Sequence, residues 1–151
     1  MSEDAFCQSF GKLHALHVEA LMRHLIECRR VCDGDMDLFL VLMIIGERTF
    51  TARGAPEEMS LTDFSEGTVR SLRPAAINLQ SIADYSGIPR ETVRRKIEIL
   101  IEKGWVERSE RRFVSATDKA RDSLSNLTAS ELRYLRDIET ALRTYAVRQE
   151  S

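Results

Sequence analysis

Apolar residues recur at helical spacing along most of the chain, and short breaks rich in Gly, Pro, Asp and Ser cut that pattern into segments. Over residues 5–32 there is no proline, Gly11 is the only glycine, and Phe6, Phe10, Leu13, Leu16, Leu21, Leu25, Cys28 and Val31 recur. This predicts one long helix. Asp33-Gly34-Asp35 ends it, and Asp35 or Asp37 can cap a second helix over residues 36–50. There Leu38, Phe39, Val41, Leu42, Ile44 and Ile45 are apolar nearly all round, which predicts a central helix. Asn78 can cap a third, since its side-chain oxygen accepts from unpaired N–H groups of the first turn, and Gly87 suits the left-handed exit. Pro89 then opens a fourth helix, where its fixed φ fits and its missing N–H costs nothing. Val93, Ile97, Leu100 and Ile101 form the inner stripe of that helix and leave Arg90, Glu91, Arg94, Arg95 and Glu98 outside.

Residues 105–108 and 112–115 alternate like a half-exposed hairpin, with no glycine at the turn. Thr117 can cap a helix through Ala120 and Leu124. Thr128-Ala129-Ser130-Glu131 fits a capping box that opens a last helix with Leu132, Leu135, Ile138, Leu142 and Tyr145 as its stripe. Long one-faced helices at both ends are the pattern expected if the termini clasp a second subunit. Residues 51–76 hold Gly54, Pro56, Gly67 and Pro74 and read as a loop or lid, within which Pro56 and the acids after it suit a short helix ending near Glu66.

The two helices around Gly87 resemble the helix-turn-helix of bacterial transcription regulators, on Ala83, Gly87, Ile88 and Val93. Lys103-Gly104-Trp105-Val106-Glu107-Arg108 resembles the helix end and first wing strand of winged members such as the MarR and GntR groups. The resemblance covers residues 77 to about 120 and departs from the pattern at Ser86 and Lys96, where apolar residues are common. It departs further in residues 51–76, since that connection is usually short in MarR-like chains. It implies a mainly α fold, a winged helix-turn-helix with a small β-hairpin wing and long N- and C-terminal helices. Residues 1–32 would be a dimerisation helix, 33–117 the DNA-binding domain with 51–76 as an insertion loop, and 118–151 further dimerisation helices. The implied partners are double-stranded DNA, a second copy of the chain and a small-molecule effector held between the dimer helices and the DNA-binding lobe.

At 151 residues, with 43% hydrophobic and 30% charged, the chain can bury a core of its own. Its longest apolar run, residues 38–45, is too short for a bilayer, and no basic flank precedes an apolar segment near residue 1. A cytoplasmic protein without a membrane partner is expected. Three cysteines without paired spacing argue against a disulfide framework. A net charge of −2 gives no global attraction to an anion, but its distribution does. Residues 79–121 carry ten basic side chains against seven acidic ones, whereas residues 1–50 carry five against eight.

The recognition helix, about residues 89–103, is therefore expected in the major groove, with Arg90, Arg94 and Arg95 forking guanine O6 and N7. Ser81 and Thr92 suit phosphates, and in a wing over 105–116 Arg108, Arg111 and Arg112 suit the backbone, which positions without reading sequence. A homodimer would read a pseudo-palindromic site. Two alternatives belong to other classes. The same domain can serve as a protein-interaction module whose basic face takes an acidic partner. Alternatively, His24, Cys28 and Cys32, four residues apart on one predicted helix with His14 and His17 upstream, suit a metal or redox sensor. No second paired-ligand element accompanies them. The sequence has no glycine-rich phosphate loop, Gly-x-Ser-x-Gly elbow or His-Glu-x-x-His pattern, so neither an enzyme nor a cofactor is expected.

Overall fold

The computed structural model describes residues 3–52, 58–67 and 77–145. It is mainly helical, with one small two-stranded antiparallel sheet. In chain order the elements are α1 (Glu3–Gln8), α2 (Phe10–Val31), α3 (Met36–Ala52), α4 (Leu61–Glu66), α5 (Leu79–Ser86), α6 (Arg90–Glu102), β1 (Val106–Arg108), β2 (Val114–Ala116), α7 (Asp118–Ser123) and α8 (Ser125–Tyr145). These divide into two compact units, a central one over Cys32–Ser125 and a terminal one built from Met1–Val31 and Asn126–Ser151. No helix among the described residues is long and apolar enough to cross a membrane.

In the central unit α3 packs against α5, α6 and β2, and its near-continuous apolar sequence supplies the middle of the core. Val41 and Ile45 of α3, Ile82 of α5, Val93, Ile97 and Leu100 of α6 and Val114 of β2 are all buried to within 1%. The strands pair Val106 with Ala116, Glu107 with Ser115 and Arg108 with Val114. An isolated bridge adds Ile77, whose carbonyl accepts from the Val114 N–H at 2.9 Å, so the start of α5 is fixed to the hairpin. Among the described residues Thr49 is the buried polar exception, and it is satisfied twice: its hydroxyl donates to the Ile45 carbonyl at 2.7 Å and accepts from the Ala116 N–H at 2.9 Å.

Helix ends follow the capping chemistry. Asn78 Oδ1 accepts from the Ser81 N–H, Gly87 takes φ 72°, and the Thr117 hydroxyl accepts from the Ala120 N–H. At α6 the exit is Gly104 at φ 73°, with the Trp105 N–H reaching back to the Leu100 carbonyl. Of the two acids that could cap α3, Asp35 does so, accepting from the Leu38 N–H at 2.9 Å, and the same carboxylate pairs with the Lys96 ammonium. Lys96 is thus the half-buried partner of an acid 61 residues away, which accounts for a charge at a place where apolar residues are common. Ser86 has a similar explanation, since its hydroxyl accepts from the Ile88 N–H inside the turn.

Burial pushes the Asp35 carboxyl up, but the Lys96 ammonium and the Leu38 and Asp37 N–H groups outweigh it and hold it below the ordinary value. A lowered carboxyl contributes stability above its unfolded value, near 3.9, and loses it as pH falls through the folded one. Asp35→Ala is therefore expected to lower stability at pH 7 by about 1–2 kcal/mol through the lost cap. The gap to wild type in urea titrations should close as the pH falls below about 4.

Four expectations are corrected. The first long helix is interrupted at Ser9, whose hydroxyl donates to the Tyr145 carbonyl at 2.8 Å. The last helix begins at Ser125, so Thr128 lies within α8 and opens nothing, while Ser130 hydrogen-bonds His24 Nδ1. Along α8, Leu127 and Ala141 are buried but Leu135 is 51% exposed. The short helix before Glu66 starts at Leu61 with Ser60 as its cap, in a capping box closed by Asp63. Gly54, Pro56 and Pro74 lie outside the described residues.

In the terminal unit α2 and α8 run antiparallel, tied by Ser9 to Tyr145, His17 Nδ1 to the Tyr134 hydroxyl at 3.1 Å, and His24 to Ser130. Arg23 donates to Asp137 at 3.0 Å, and the Lys12 ammonium lies over the Tyr145 ring. Only Leu13, Ala20 and Cys28 of the 22 residues of α2 are buried, and Phe10, Val18, Met22 and Ile26 are exposed.

Candidate functional site

The basic residues of the central unit gather on α6 and the hairpin. Helix α6 buries Val93, Ile97 and Leu100, and the helical repeat then places Arg90, Glu91, Arg94, Arg95 and Glu98 on other sides. Arg90, Arg94 and Arg95 are exposed, whereas Thr92 is half-buried. Arg94 and Glu91 form a fork: Arg94 Nε donates to both carboxylate oxygens at 2.9 and 3.1 Å, and Nη2 donates to one of them at 2.7 Å. Arg95 Nε lies 3.6 Å from the same carboxylate. The Arg94 guanidinium holds the Glu91 carboxyl below its ordinary value, and Glu91 in turn raises Arg94.

One turn further along, Glu98 accepts from Arg108 Nη2 of β1 at 2.8 Å. Charges therefore alternate from the start of α6 to the hairpin as Glu91, Arg94, Glu98 and Arg108. At the turn of the hairpin, Ser109 and Phe113 are joined by a backbone hydrogen bond of 2.8 Å, and Arg112 occupies the left-handed region at φ 62°. That conformation usually calls for glycine, and an arginine there costs about 1–2 kcal/mol in backbone energy. Arg111 and Arg112 are exposed, and among the described residues the side chains of Arg90, Arg111 and Arg112 make no ion pair. Ser81 sits in the exposed first turn of α5, where its N–H is already taken by the Asn78 cap and its hydroxyl faces outward from the helix start.

Arg94 and Arg95 are thus paired with Glu91 and, separately, Arg108 with Glu98, while Arg90 and the hairpin-tip arginines stand apart from both pairings. The acids were absent from the sequence-based site. Their signal was present in the three- and four-residue steps from Glu91 to Arg94 and Arg95, the spacing at which helical side chains meet. The pairing of Glu98 with Arg108 crosses elements and leaves no such trace.

The His/Cys set does not assemble as expected. Helix α2 ends at Val31, and the chain turns at Asp33 and Gly34 with φ 54° and 88°, so Cys32 is not part of α2. Cys28 Sγ lies 3.6 Å from His24 Nε2, and His24 Nδ1 pairs with Ser130. Burial pushes the Cys28 thiol up, with Glu131 and Glu27 adding to the effect, which disfavours the thiolate a metal needs. Among the described residues no three His, Cys, Asp or Glu side chains form a group that could hold a metal ion. Among the described residues of the terminal unit, open clefts of about 220 Å³ beside His24 and Tyr134 and about 280 Å³ beside Phe10 and Leu142 lie along α2 and α8.

Compared with protein-family models, curated proteins and solved structures, the chain matches none of them.

Proposed function

We propose that this chain is a sequence-reading, double-stranded-DNA-binding transcription regulator that works as a homodimer. The observation that carries the reading is the two-sidedness of α6. Its inner residues Val93, Ile97 and Leu100 are buried to within 1%, and Arg90, Arg94 and Arg95 are exposed beside a hairpin whose Arg108 is bonded to the same helix. In this reading α5 and α6 are a helix-turn-helix with its glycine in the left-handed turn, α6 enters the major groove, and the hairpin is a wing on the phosphate backbone. The fold is then a winged helix, with α3 completing its three-helix core.

Dimerisation through α2 and α8 is supported by what those helices leave open. Val18, Met22 and Ile26 are four residues apart on one line of α2 and are exposed, as are Phe10 and Leu135. Two helices of 22 and 21 residues with so few buried side chains lack a core of their own, and a second copy would supply it. A two-fold dimer would set two α6 helices about 34–36 Å apart on one side of DNA. A cytoplasmic location, a non-catalytic role and a small-molecule effector belong to the same proposal.

Selection of bound duplexes from a random-sequence library tests it: a reader enriches a pseudo-palindromic sequence, and an incidental basic surface enriches nothing and shows only a salt dependence. The hairpin is tested separately by Arg112→Gly. The change relieves a left-handed arginine, so thermal stability should hold or rise slightly. Loss of one phosphate contact should meanwhile lower the slope of log affinity against log salt by about 0.9. An unchanged slope would remove Arg112 from the interface.

A further inference from the structure

The structure assigns Glu91 a part in base reading: we propose that it is the positioning residue that aims Arg94 at guanine. This rests on the DNA-reading proposal above. A guanidinium offers two bidentate edges, one made by Nε with Nη2 and one made by the two terminal nitrogens. Glu91 occupies the first of these through three contacts, of 2.7, 2.9 and 3.1 Å. The edge that includes Nη1 is left for a ligand, and guanine O6 and N7 are an acceptor pair that a guanidinium edge can fork.

The carboxylate therefore does not have to be displaced for Arg94 to read a base. It fixes the plane of the guanidinium before DNA arrives, so less side-chain freedom is lost on binding. Its place in the first turn of α6 also suits a negative charge near the helix N-terminus. Arg95 Nε lies 3.6 Å from the same carboxylate, so the cluster stays net positive where it would meet DNA. A carboxylate facing phosphates should by itself weaken binding to any sequence. The proposed benefit is therefore discrimination, with a cost in overall affinity.

Fluorescence anisotropy on the full chain separates these effects. The probes are the duplex that wild type selects, its single-base variants and a scrambled duplex, tested with wild type, Glu91→Gln, Glu91→Ala, Arg94→Ala and the Glu91→Ala/Arg94→Ala double variant. Wild type is expected to prefer G·C at the base read by Arg94 by about 10-fold or more. Glu91→Ala should reduce that preference at least about threefold while leaving affinity for scrambled DNA equal or higher, as expected from lost pre-organisation. Glu91→Gln, which keeps one acceptor oxygen, should fall between. In the Arg94→Ala background, Glu91→Ala should change no base preference. Glu91 is exposed, so loss of its first-turn charge should lower circular dichroism melts only slightly in both Glu91 variants.

An unaltered base preference in Glu91→Ala, with tighter binding to every duplex, would overturn the proposal and leave Glu91 as a simple repulsive charge. A preference lost equally in the Arg94→Ala background would also overturn it, because Glu91 would then read a base itself. If wild type selected no sequence, the DNA-reading proposal would fall and this one with it. Selection by wild type followed by either contrary result would remove only the role of Glu91.

Discussion

Ile97→Ala is expected to lower the stability of the central unit by about 2–5 kcal/mol. Ile97 is 1% exposed and sits between Val93 and Leu100 on the inner side of α6, the helix that packs against both α3 and α5. Two things are lost together: the transfer free energy of the removed methyl groups and the contacts across the void they leave. Helix α6 cannot readily close that void. Its position is fixed on one side by the Lys96–Asp35 pair and on another by the bond between Arg108 and Glu98. Against a total of about 5–15 kcal/mol for a domain, the loss is a large fraction. Trp105 is the only tryptophan and lies in the central unit, so its fluorescence in urea reports on this region directly. A lower midpoint at unchanged slope is the expected result, and a midpoint within about 0.5 kcal/mol of wild type would mean that α6 does not pack as described.

Arg94→Ala with Arg95→Ala carries the largest expected effect on binding. Each bidentate contact to a guanine is worth about 1–3 kcal/mol of discrimination, so the two together predict a loss of roughly 2–6 kcal/mol on the selected duplex. The double change also leaves Glu91 without the two guanidinium partners it has in the free protein. An uncompensated carboxylate would then face the phosphates, which makes the loss exceed the sum of the single changes. Both arginines are exposed, so thermal stability should scarcely move. Anisotropy on selected and scrambled duplexes measures the effect. Retention of wild-type affinity to within a few-fold would take α6 out of the interface.

The parts of this fold that the sequence makes legible are those governed by neighbours in the chain. Asn78, Gly87 and Thr117 act within three or four residues of their own positions, and the apolar steps of α6 are set by helical repeat alone. Thr128 shows where that logic fails. A capping box is a local preference, and it is overridden here because α8 already begins at Ser125, close behind α7. The left-handed Arg112 has no local signal in the sequence, since a strained residue is tolerated only where the paired strands on either side impose it. Leu135 belongs to a regular apolar stripe yet is half exposed, because periodicity names a face but not what covers it. For the candidate site, the basic residues were visible as a local excess of charge, but their organisation was not. The partnership of Arg108 with Glu98 and that of Lys96 with Asp35 depend on the tertiary packing of α6.

The hydrogen bond from Ser9 to Tyr145 closes a unit whose two halves are separated by the whole central unit. During synthesis residues 32–125 can therefore collapse around α3 as soon as they emerge, while α2 waits for a partner helix made later. Until residues near 145 leave the ribosome, Leu13 and Ala20 have nothing of their own unit to cover them, and Val18, Met22 and Ile26 are exposed both before and after. A nascent chain stalled between α7 and α8 would thus present a folded middle with a bare, sticky helix in front of it, and that species would be the natural client of a chaperone.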